Sequence, residues 1–408
     1  MKNYIARQEA FGFTFYERKK LRHKFFSKEK LSLYLKEKGI GGSEVEWLKF
    51  KCRNYRSDIL YSPIRIYYEL TLRCNLQCRY CFNNSGKPRP NELTTKEVLE
   101  SLDQLKRNNV IDVRFTGGEP TCRDDWYEIL TYAKKLGFCI SCNTNAAYLD
   151  PSINEKFAKL DIEQVTVSVD GCKENHEYNR GKGSFDRTIK NLKIMHSLGI
   201  TLRINVLVNK HSVDDAAFML DLASKYTDEI NFFTIVFIGR GSHLEHSDGV
   251  TVEDHLKMSQ EIKKLKLNYP NLNILHFAEV SKKTSVNEDA GKKFGLKIGP
   301  PSGSTTLNIT SSGGFCCGGY TPYISDDMIL GNCKIDDLFG IWQKSKKLEK
   351  IRDDGGKLIH FCANCPKFKL DECQGSKYET ELNRLIHSEV KNQTCIYGGG
   401  PSLLKIAP

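Results

Sequence analysis

The stretch Ile64-Arg-Ile-Tyr-Tyr-Glu-Leu-Thr-Leu-Arg-Cys74-Asn-Leu-Gln-Cys78-Arg-Tyr-Cys81 decides how the chain is read. Residues Ile66–Leu72 form an apolar strand that runs directly into three cysteines spaced C-x3-C-x2-C. Three thiolates in one tight loop can hold three irons of a cubane and leave the fourth iron open. Ordinary electron-transfer clusters close with four cysteines, so the open iron implies a bound substrate or cofactor. The competing arrangement is a zinc loop completed by a distant histidine or cysteine, although zinc loops favour C-x2-C pairs.

Outward from this loop the chain alternates strand-like and helix-like segments. Strands are expected at Ile111–Phe115, Phe138–Asn143, Gln164–Val169, Thr201–Val208 and Asn231–Ile238. Between them, helices are expected near Thr94–Asn108, Asp124–Leu136, Ser152–Leu160, Ser184–Leu198 and Ser212–Tyr226, with a further one from Val252 to Leu267. In the first of these helices Val98, Leu102 and Leu105 share one side. Such repeats predict an α/β fold, a partial (β/α)6 TIM-type barrel, in which chemistry gathers at the C-terminal ends of the strands. The motifs obey that rule. Gly117-Gly118-Glu119-Pro120 follows the second strand, Thr144-Asn145 ends the third, and Ser168-Val-Asp170-Gly171 ends the fourth.

Cys74-Asn-Leu-Gln-Cys78-Arg-Tyr-Cys81, with aromatic Tyr80 before the last cysteine, resembles the signature of radical S-adenosylmethionine enzymes. Gly117-Gly118-Glu119-Pro120 is similar to the GGEP motif of that superfamily, and the resemblance covers roughly residues 60–240. It implies a [4Fe-4S] cluster on Cys74, Cys78 and Cys81, whose unique iron chelates the amino and carboxylate groups of S-adenosylmethionine. It also implies that Gly117 and Gly118 let backbone approach the cofactor closely and that Glu119 accepts from its ammonium. Asn145 and Ser168 are then expected near its ribose or methionine, and Arg180 opposite its carboxylate, a surface salt bridge being the plainer reading of that arginine. Alanine follows Asn145 where the superfamily usually has glycine. The implied chemistry is reductive cleavage of the sulfonium, giving a 5′-deoxyadenosyl radical that abstracts hydrogen from the substrate; no side chain serves as base or nucleophile in that step.

The whole chain has 408 residues, 15 cysteines and a formal net charge of +11. At 39% hydrophobic and 27% charged it is an ordinary globular composition. No run of about 18 apolar residues suggests a membrane span, and no apolar signal core follows Met1, so a cytoplasmic setting is expected. Reduced thiols in such numbers point to metal or cluster ligation. Residues 1–60 hold 15 Lys/Arg against 7 Asp/Glu. They read as a hairpin (Tyr4–Tyr16, continuing to Phe25-Phe26) and a short helix from Ser27 to Gly39, a basic module suited to an acidic partner. Three domains follow: 1–60, the module; 61–290, the barrel; and 291–408, a small cofactor-held extension.

In that extension Cys362, Cys365, Cys373 and Cys395 are spaced C-x2-C-x7-C-x21-C. Four thiolates close either an iron–sulfur cluster or a structural zinc site. The region resembles the SPASM extension of peptide-modifying radical enzymes, including Gly331-Asn332 before Leu338–Trp342, and this implies an auxiliary [4Fe-4S] cluster. Lys377 stands where a further cysteine is usual, leaving Cys316, Cys317 and Cys333 as candidates for a second, open-sited cluster or as remnants. Cys52, Cys122, Cys139, Cys142 and Cys172 are expected to be packing residues.

Three functions compete. The first is radical modification of a ribosomally made peptide during its maturation. The module resembles leader-recognition elements that add a leader to a strand edge, and Asn75–Thr94 with Arg180–Phe185 resembles mycofactocin-type maturases. Its partners would be a precursor peptide with an acidic leader and a reductant such as flavodoxin or ferredoxin. The second is a radical dehydrogenase acting on a small molecule such as a sugar or aminoglycoside. The third, a metal protein binding nucleic acid through residues 1–60, leaves the GGEP motif and Arg180 without a role.

Overall fold

The computed structural model describes residues 1–50, 54–275, 291, 293–298, 301–323 and 326–353. Cys52, Cys362, Cys365, Cys373 and Cys395 lie outside the described residues.

The chain opens on β1 (Tyr4–Glu9), β2 (Gly12–Glu17) and β3 (Arg22–Phe26), an antiparallel run followed by α1 (Lys28–Glu37) and β4 (Val45–Leu48). Ser27 Oγ caps α1 by accepting from Lys30 N. β4 returns to pair in parallel with β1, so the sheet order is β3-β2-β1-β4. The module thus has a fourth strand beyond the hairpin expected from sequence. That strand is short, and only its position against β1 identifies it.

Six parallel strands then follow in spatial sequence: β5 (Arg65–Thr71), β6 (Asp112–Gly117), β7 (Cys139–Thr144), β8 (Gln164–Ser168), β9 (Leu202–Val208) and β10 (Glu229–Thr234). They form the expected partial barrel. β10 begins two residues before the predicted strand and stops at Thr234, because the chain then turns into a 3-10 helix at Gly239–Gly241. The sheet continues past six strands. β11 (Asn273–Leu275) adds in parallel beyond β10, and β12 (Thr306–Ile309) pairs in parallel with β5 before β13 (Gly314–Cys316) and β14 (Ile329–Asn332) finish antiparallel. One sheet therefore runs across residue 290 into the C-terminal region.

Side-chain alternation along these strands sets the architecture. On β5 the residues Ile66, Tyr68 and Leu70 are buried under helices; on β9 Leu202, Ile204, Val206 and Val208 are. The helices α2 (Thr95–Arg107), α3 (Trp126–Lys135), α4 (Pro151–Leu160), α6 (Ser184–Ser197) and α7 (Ala216–Tyr226) supply the other half of that layer. Val98, Leu102 and Leu105 of α2 are fully buried, and a Thr94–Glu97 capping box starts the helix. Most of the intervening strand positions are polar. Arg65, Tyr67 and Glu69 alternate on β5, Asp112, Arg114 and Thr116 on β6, and Arg203 and Asn205 on β9. The concave face is thus a polar lumen, unlike the apolar interior of a closed barrel.

The N-terminal module plugs the lower end of this lumen. Arg7 is fully buried and donates to Ser62 Oγ (2.8 Å), Ser62 O (2.9 Å), Pro63 O (2.9 Å) and Asn109 O (3.2 Å) in the loops that enter β5 and β6. Its Nε bonds to Glu9 Oε1 at 2.8 Å, and Glu9 in turn accepts from Tyr61 N. Arg18 reaches the entry to β7 through Gly137 O (2.7 Å) and Phe138 O (3.2 Å), and Tyr16 Oη donates to Asp112 Oδ2 at 2.5 Å. The module is therefore fastened to the base, opposite the strand ends that carry the cysteine loop. Among the described residues no helix is long and apolar enough to cross a membrane.

Arg7→Met keeps volume but strips these donors and leaves Glu9 buried without its partner. It should cost about 3–5 kcal/mol, read as a lower urea midpoint with an unchanged slope.

Candidate functional site

The cysteine loop leaves β5 at the C-terminal mouth of the barrel. Cys74, Cys78 and Cys81 are all half-buried free thiols. Burial pushes the Cys74 thiol up to about 12 and Cys78 up to about 11, so thiolates here need a metal to draw the protons off. Local bonds shape the loop: Cys74 N donates to Gly86 O at 3.1 Å and Cys81 N to Cys78 O at 3.2 Å. Ser85 N donates to Cys81 Sγ at 3.4 Å. A clamp arrives from the far side of the barrel. Arg240 donates through Nε to Cys78 O (2.9 Å), through Nη1 to Ser85 O (2.7 Å) and through its backbone N to Cys81 O (3.0 Å). Gly239 makes this approach possible: it has φ +58°, and a Cβ there would lie 2.3 Å from Phe82 O. Sequence reading missed this clamp, and a Gly-Arg-Gly after a strand is the signal that could have suggested it.

Gly117 and Gly118 also serve a close approach, and the neighbour they meet is the chain itself. A Cβ on Gly117 would sit 2.3 Å from Thr71 O, and one on Gly118 2.3 Å from Arg73 O. Gly118 N donates to Thr71 O and Glu119 N to Arg73 O, both at 2.8 Å, so the end of β6 is laced to the start of the cysteine loop. Glu119 is fully buried, and the chain occupies its carboxylate. Oε1 accepts from Thr121 Oγ1 (2.8 Å) and Thr121 N (3.3 Å), and Oε2 from Asn145 N (2.7 Å) and Thr144 Oγ1 (3.1 Å). Burial raises its pKa although these donors pull it down. Asn145, so held, donates to Asn75 Oδ1 at 2.8 Å and points toward Cys74 Sγ at 3.9 Å. Ala146 takes φ 53°, the left-handed turn that glycine adopts without strain.

A third knot lies across the mouth. Asp170, fully buried just beyond β8, receives Tyr80 Oη (2.6 Å), Arg180 Nε (2.6 Å), Arg180 Nη2 (3.0 Å) and Leu207 N (3.1 Å). Burial alone would raise its pKa, but the Arg180 charge and these bonds hold it below the ordinary carboxylate value. Arg180, on α5 (Lys173–Arg180), is not a surface salt bridge: its side chain is 10% exposed, and its guanidinium lies over the Tyr80 ring. The expectation placed that fork opposite a cofactor carboxylate, whereas two of its nitrogens bind Asp170. Sequence reading quoted Asp170 only as the end of a strand, yet it joins the loop aromatic to α5. Ser168, at the end of β8, faces the lumen beside Asn205.

Cys316, Cys317 and Cys333 face different neighbours. Cys316 lines a small cavity with Tyr67, Glu69 and Asn308, Cys317 packs beside Gly303, and Cys333 lies beside Gly313 and Leu93. Among the described residues no three His, Cys, Asp or Glu side chains gather closely enough to hold a single metal ion. A cubane takes one thiolate per iron and has no need of that convergence. Cys139 and Cys142 are buried packing residues, while Cys122 and Cys172 are half-buried.

His176 accepts from Asp170 N through Nδ1 at 3.3 Å, and burial together with the Arg180 charge pushes its imidazole down to about 4. The folded state therefore resists a proton that the unfolded chain takes up near pH 6.5, and stability falls as pH drops from about 6.5 to about 4. The loss is roughly 3 kcal/mol. His176→Asn, which keeps an acceptor and does not titrate, should flatten that part of a stability–pH profile measured by urea unfolding.

Residues 68–223 match the Radical SAM superfamily. The chain is 29% identical over 360 residues to the mycofactocin maturase MftC of Mycolicibacterium smegmatis, covering 85% of this chain and 86% of that protein. It is 27% identical over 310 residues to an AdoMet-dependent heme synthase of Methanosarcina barkeri, covering 72% and 85%. Its fold is similar to that of SuiB from Streptococcus suis, solved with the precursor peptide SuiA, with TM-score 0.72, 18% identity and coverage of 94% and 96%. Three cysteines in one clamped loop, a glycine pair laced beneath it and a parallel half-barrel under both are accounted for together: residues 68–223 form a radical S-adenosylmethionine domain, and the chain is an enzyme that carries it.

Proposed function

We propose that this enzyme abstracts hydrogen from a ribosomally made peptide during its maturation. The observation that carries this reading is the half-exposed three-cysteine loop at the mouth of a polar lumen, in a chain that aligns along most of its length with a peptide maturase. The donor set fits the group it implies. Three thiols lie in one loop, backbone and side-chain clamps bind that loop from three sides, and the adjoining strand ends carry polar groups, among them the Asp170–Arg180 pair. With a [4Fe-4S] cluster on Cys74, Cys78 and Cys81 and S-adenosylmethionine bound, the chemistry supplied here is reductive cleavage to a 5′-deoxyadenosyl radical.

The chain's own residues orient and enclose. Arg240 and the Gly117–Glu119 segment fix the loop; Glu119 works by holding Asn145 and Thr144, its oxygens being already taken. Tyr80, Asn145, Ser168 and the Arg180–Asp170 pair face the cofactor, and the polar lumen below receives the substrate. Cys362, Cys365, Cys373 and Cys395 hold an auxiliary cluster, in the reading we favour. The peptide partner enters through the module. Among the described residues β3 pairs with β2 alone, and it presents exposed Arg22 and Lys24 along its open edge. An acidic leader can add there as a further strand. A flavodoxin or ferredoxin in the cytoplasm would supply the electron.

Incubation of the anaerobically purified protein with S-adenosylmethionine and dithionite should release 5′-deoxyadenosine. A yield no greater than that of Cys78→Ala would overturn the assignment of the loop. Iron and sulfide titration should give about eight irons per chain, and about four would remove the auxiliary cluster.

A further inference from the structure

Below the mouth, the lumen holds a tier of charge that neither the cysteine loop nor the cofactor contacts use. Arg65, Arg114 and Arg203 project inward from β5, β6 and β9, and among the described residues two carboxylates of that tier answer them. Asp112 Oδ2 lies 2.5 Å from Arg65 Nε and 3.5 Å from Arg114 Nε. Glu229 Oε1 lies 3.3 Å from Arg203 Nε, without the alignment of a hydrogen bond. Three guanidiniums against two carboxylates leave one positive charge in excess. Glu69, higher on β5, does not supply the balance: it accepts from Ser311 N and Ser311 Oγ, both at 3.0 Å, and from Tyr323 Oη, whose ring lies under Arg89.

Tyr67 sits among the three arginines, with Arg114 5.7 Å from its ring centre. Burial would raise its phenol pKa, yet the charges of Arg114, Arg65 and Arg203 bring it below the ordinary value. The tier also carries unpartnered polar atoms. Arg203 is 8% exposed and Gln164 7%; among the described residues Arg203 Nε finds no hydrogen-bond acceptor, and Gln164 Oε1, Asn205 Oδ1 and Asp112 Oδ1 find no donor. All four belong to inward-facing positions of β6, β8 and β9. Of these, Arg203 Nε is a charged donor that an anionic ligand would complete. Tyr67 also lines a small cavity with Phe82, Glu69, Thr116 and Asn308, directly under the cysteine loop.

We propose that this tier binds a carboxylate of the substrate, held by the guanidiniums of Arg114 and Arg203 with the Tyr67 hydroxyl as a further donor. The modified residue would then be anchored by its charge below the radical's reach, with its reacting carbon directed upward. The inference rests on the reading of the lumen as the substrate site. It limits substrates to those that carry an anionic group close to the position attacked.

Acetate and acetamide, equal in shape and unequal in charge, test it by ligand-observed NMR on the anaerobic holoenzyme at constant ionic strength. Acetate should bind about tenfold more tightly than acetamide. Arg114→Gln and Arg203→Gln should each bring the ratio close to one, whereas Glu229→Gln, which removes an opposing charge, should widen it. A ratio near one in the unaltered protein would overturn the proposal, and so would arginine variants that leave the preference intact. Saturating S-adenosylmethionine separates the two possible sources of the anion: acetate binding that persists supports a substrate site, and binding that is abolished assigns the tier to the cofactor's own carboxylate and overturns it. No reductant enters the measurement, so a failure to form 5′-deoxyadenosine would count against the proposed function and not against this site.

Discussion

Six parallel strands covered by helices on one face have a single way to arrange their side chains. Every second residue is pressed into the helix layer, where Ile66, Val113, Ile140, Val165 and Ile204 lose all contact with water. The residues between them must face the concave side. In this chain those positions are filled with arginine, aspartate, asparagine and threonine, so the barrel cannot collapse into the packed interior of a closed (β/α)8 protein. Three further features depend on that constraint. The base needs a plug, which the N-terminal module provides; the mouth stays open, which gives the cysteine loop a space to overhang; and the interior charges need partners, which the chain supplies incompletely.

The loop itself is held by contacts remote in sequence, which explains what was readable and what was not. The spacing of Cys74, Cys78 and Cys81 and the glycine pair after β6 are local patterns, visible in any linear reading. So are the strands, since their apolar runs alternate with amphipathic helices at short intervals. Tyr80 to Asp170 spans 90 positions, and Arg240 to Cys78 spans 162. Nothing in the neighbourhood of Arg240 states that its guanidinium will close on two carbonyls of the loop. Glu119 shows the same limit from the other side. Its residue type and place suggested a ligand acceptor, but a carboxylate buried beside Thr121, Thr144 and Asn145 has four donors of its own before any ligand arrives. The glycines likewise answer first to the backbone of Thr71–Arg73. Motif positions are therefore gathered at one mouth of the barrel, while the contacts among them needed three dimensions.

The basic count of the first 60 residues carries a related lesson. Arg7 and Arg18 contribute to it, yet both are buried against the barrel and paired with Glu9, Glu46 and Glu163. A charge used in this way fastens the module and offers little to a partner in solution. What remains available is concentrated on β3 and α1, where Arg22, Lys24, Lys28, Lys30 and Lys36 are exposed. The exposed basic surface is thus smaller and better defined than the composition implied, and it borders a strand edge that is unpaired among the described residues. The hairpin was legible from its alternating aromatics. The docking was not, because Ser62, Asn109 and Gly137, which receive it, are unremarkable loop residues.

The position of that edge constrains any peptide handled here. The module sits at the N-terminal ends of the strands and the cysteine loop at their C-terminal ends. β5 and β9 each run seven residues, so base and mouth are separated by about 20 Å at ~3.3 Å per residue. An extended chain covers that distance in about six residues, and the path around the outside of the barrel is longer than the straight line through it. A leader docked on β3 can therefore present its core to the mouth only if a spacer of more than about six residues separates the two. With such a spacer the second encounter becomes intramolecular, and the effective concentration of the core at the lumen rises without any new contact. A peptide whose modified residue directly follows its docking segment gains nothing from the module, since both sites cannot be engaged at once. If the proposed leader docks on β3, fastening the module to the base through Arg7, Tyr16 and Arg18 would make leader length part of substrate selection.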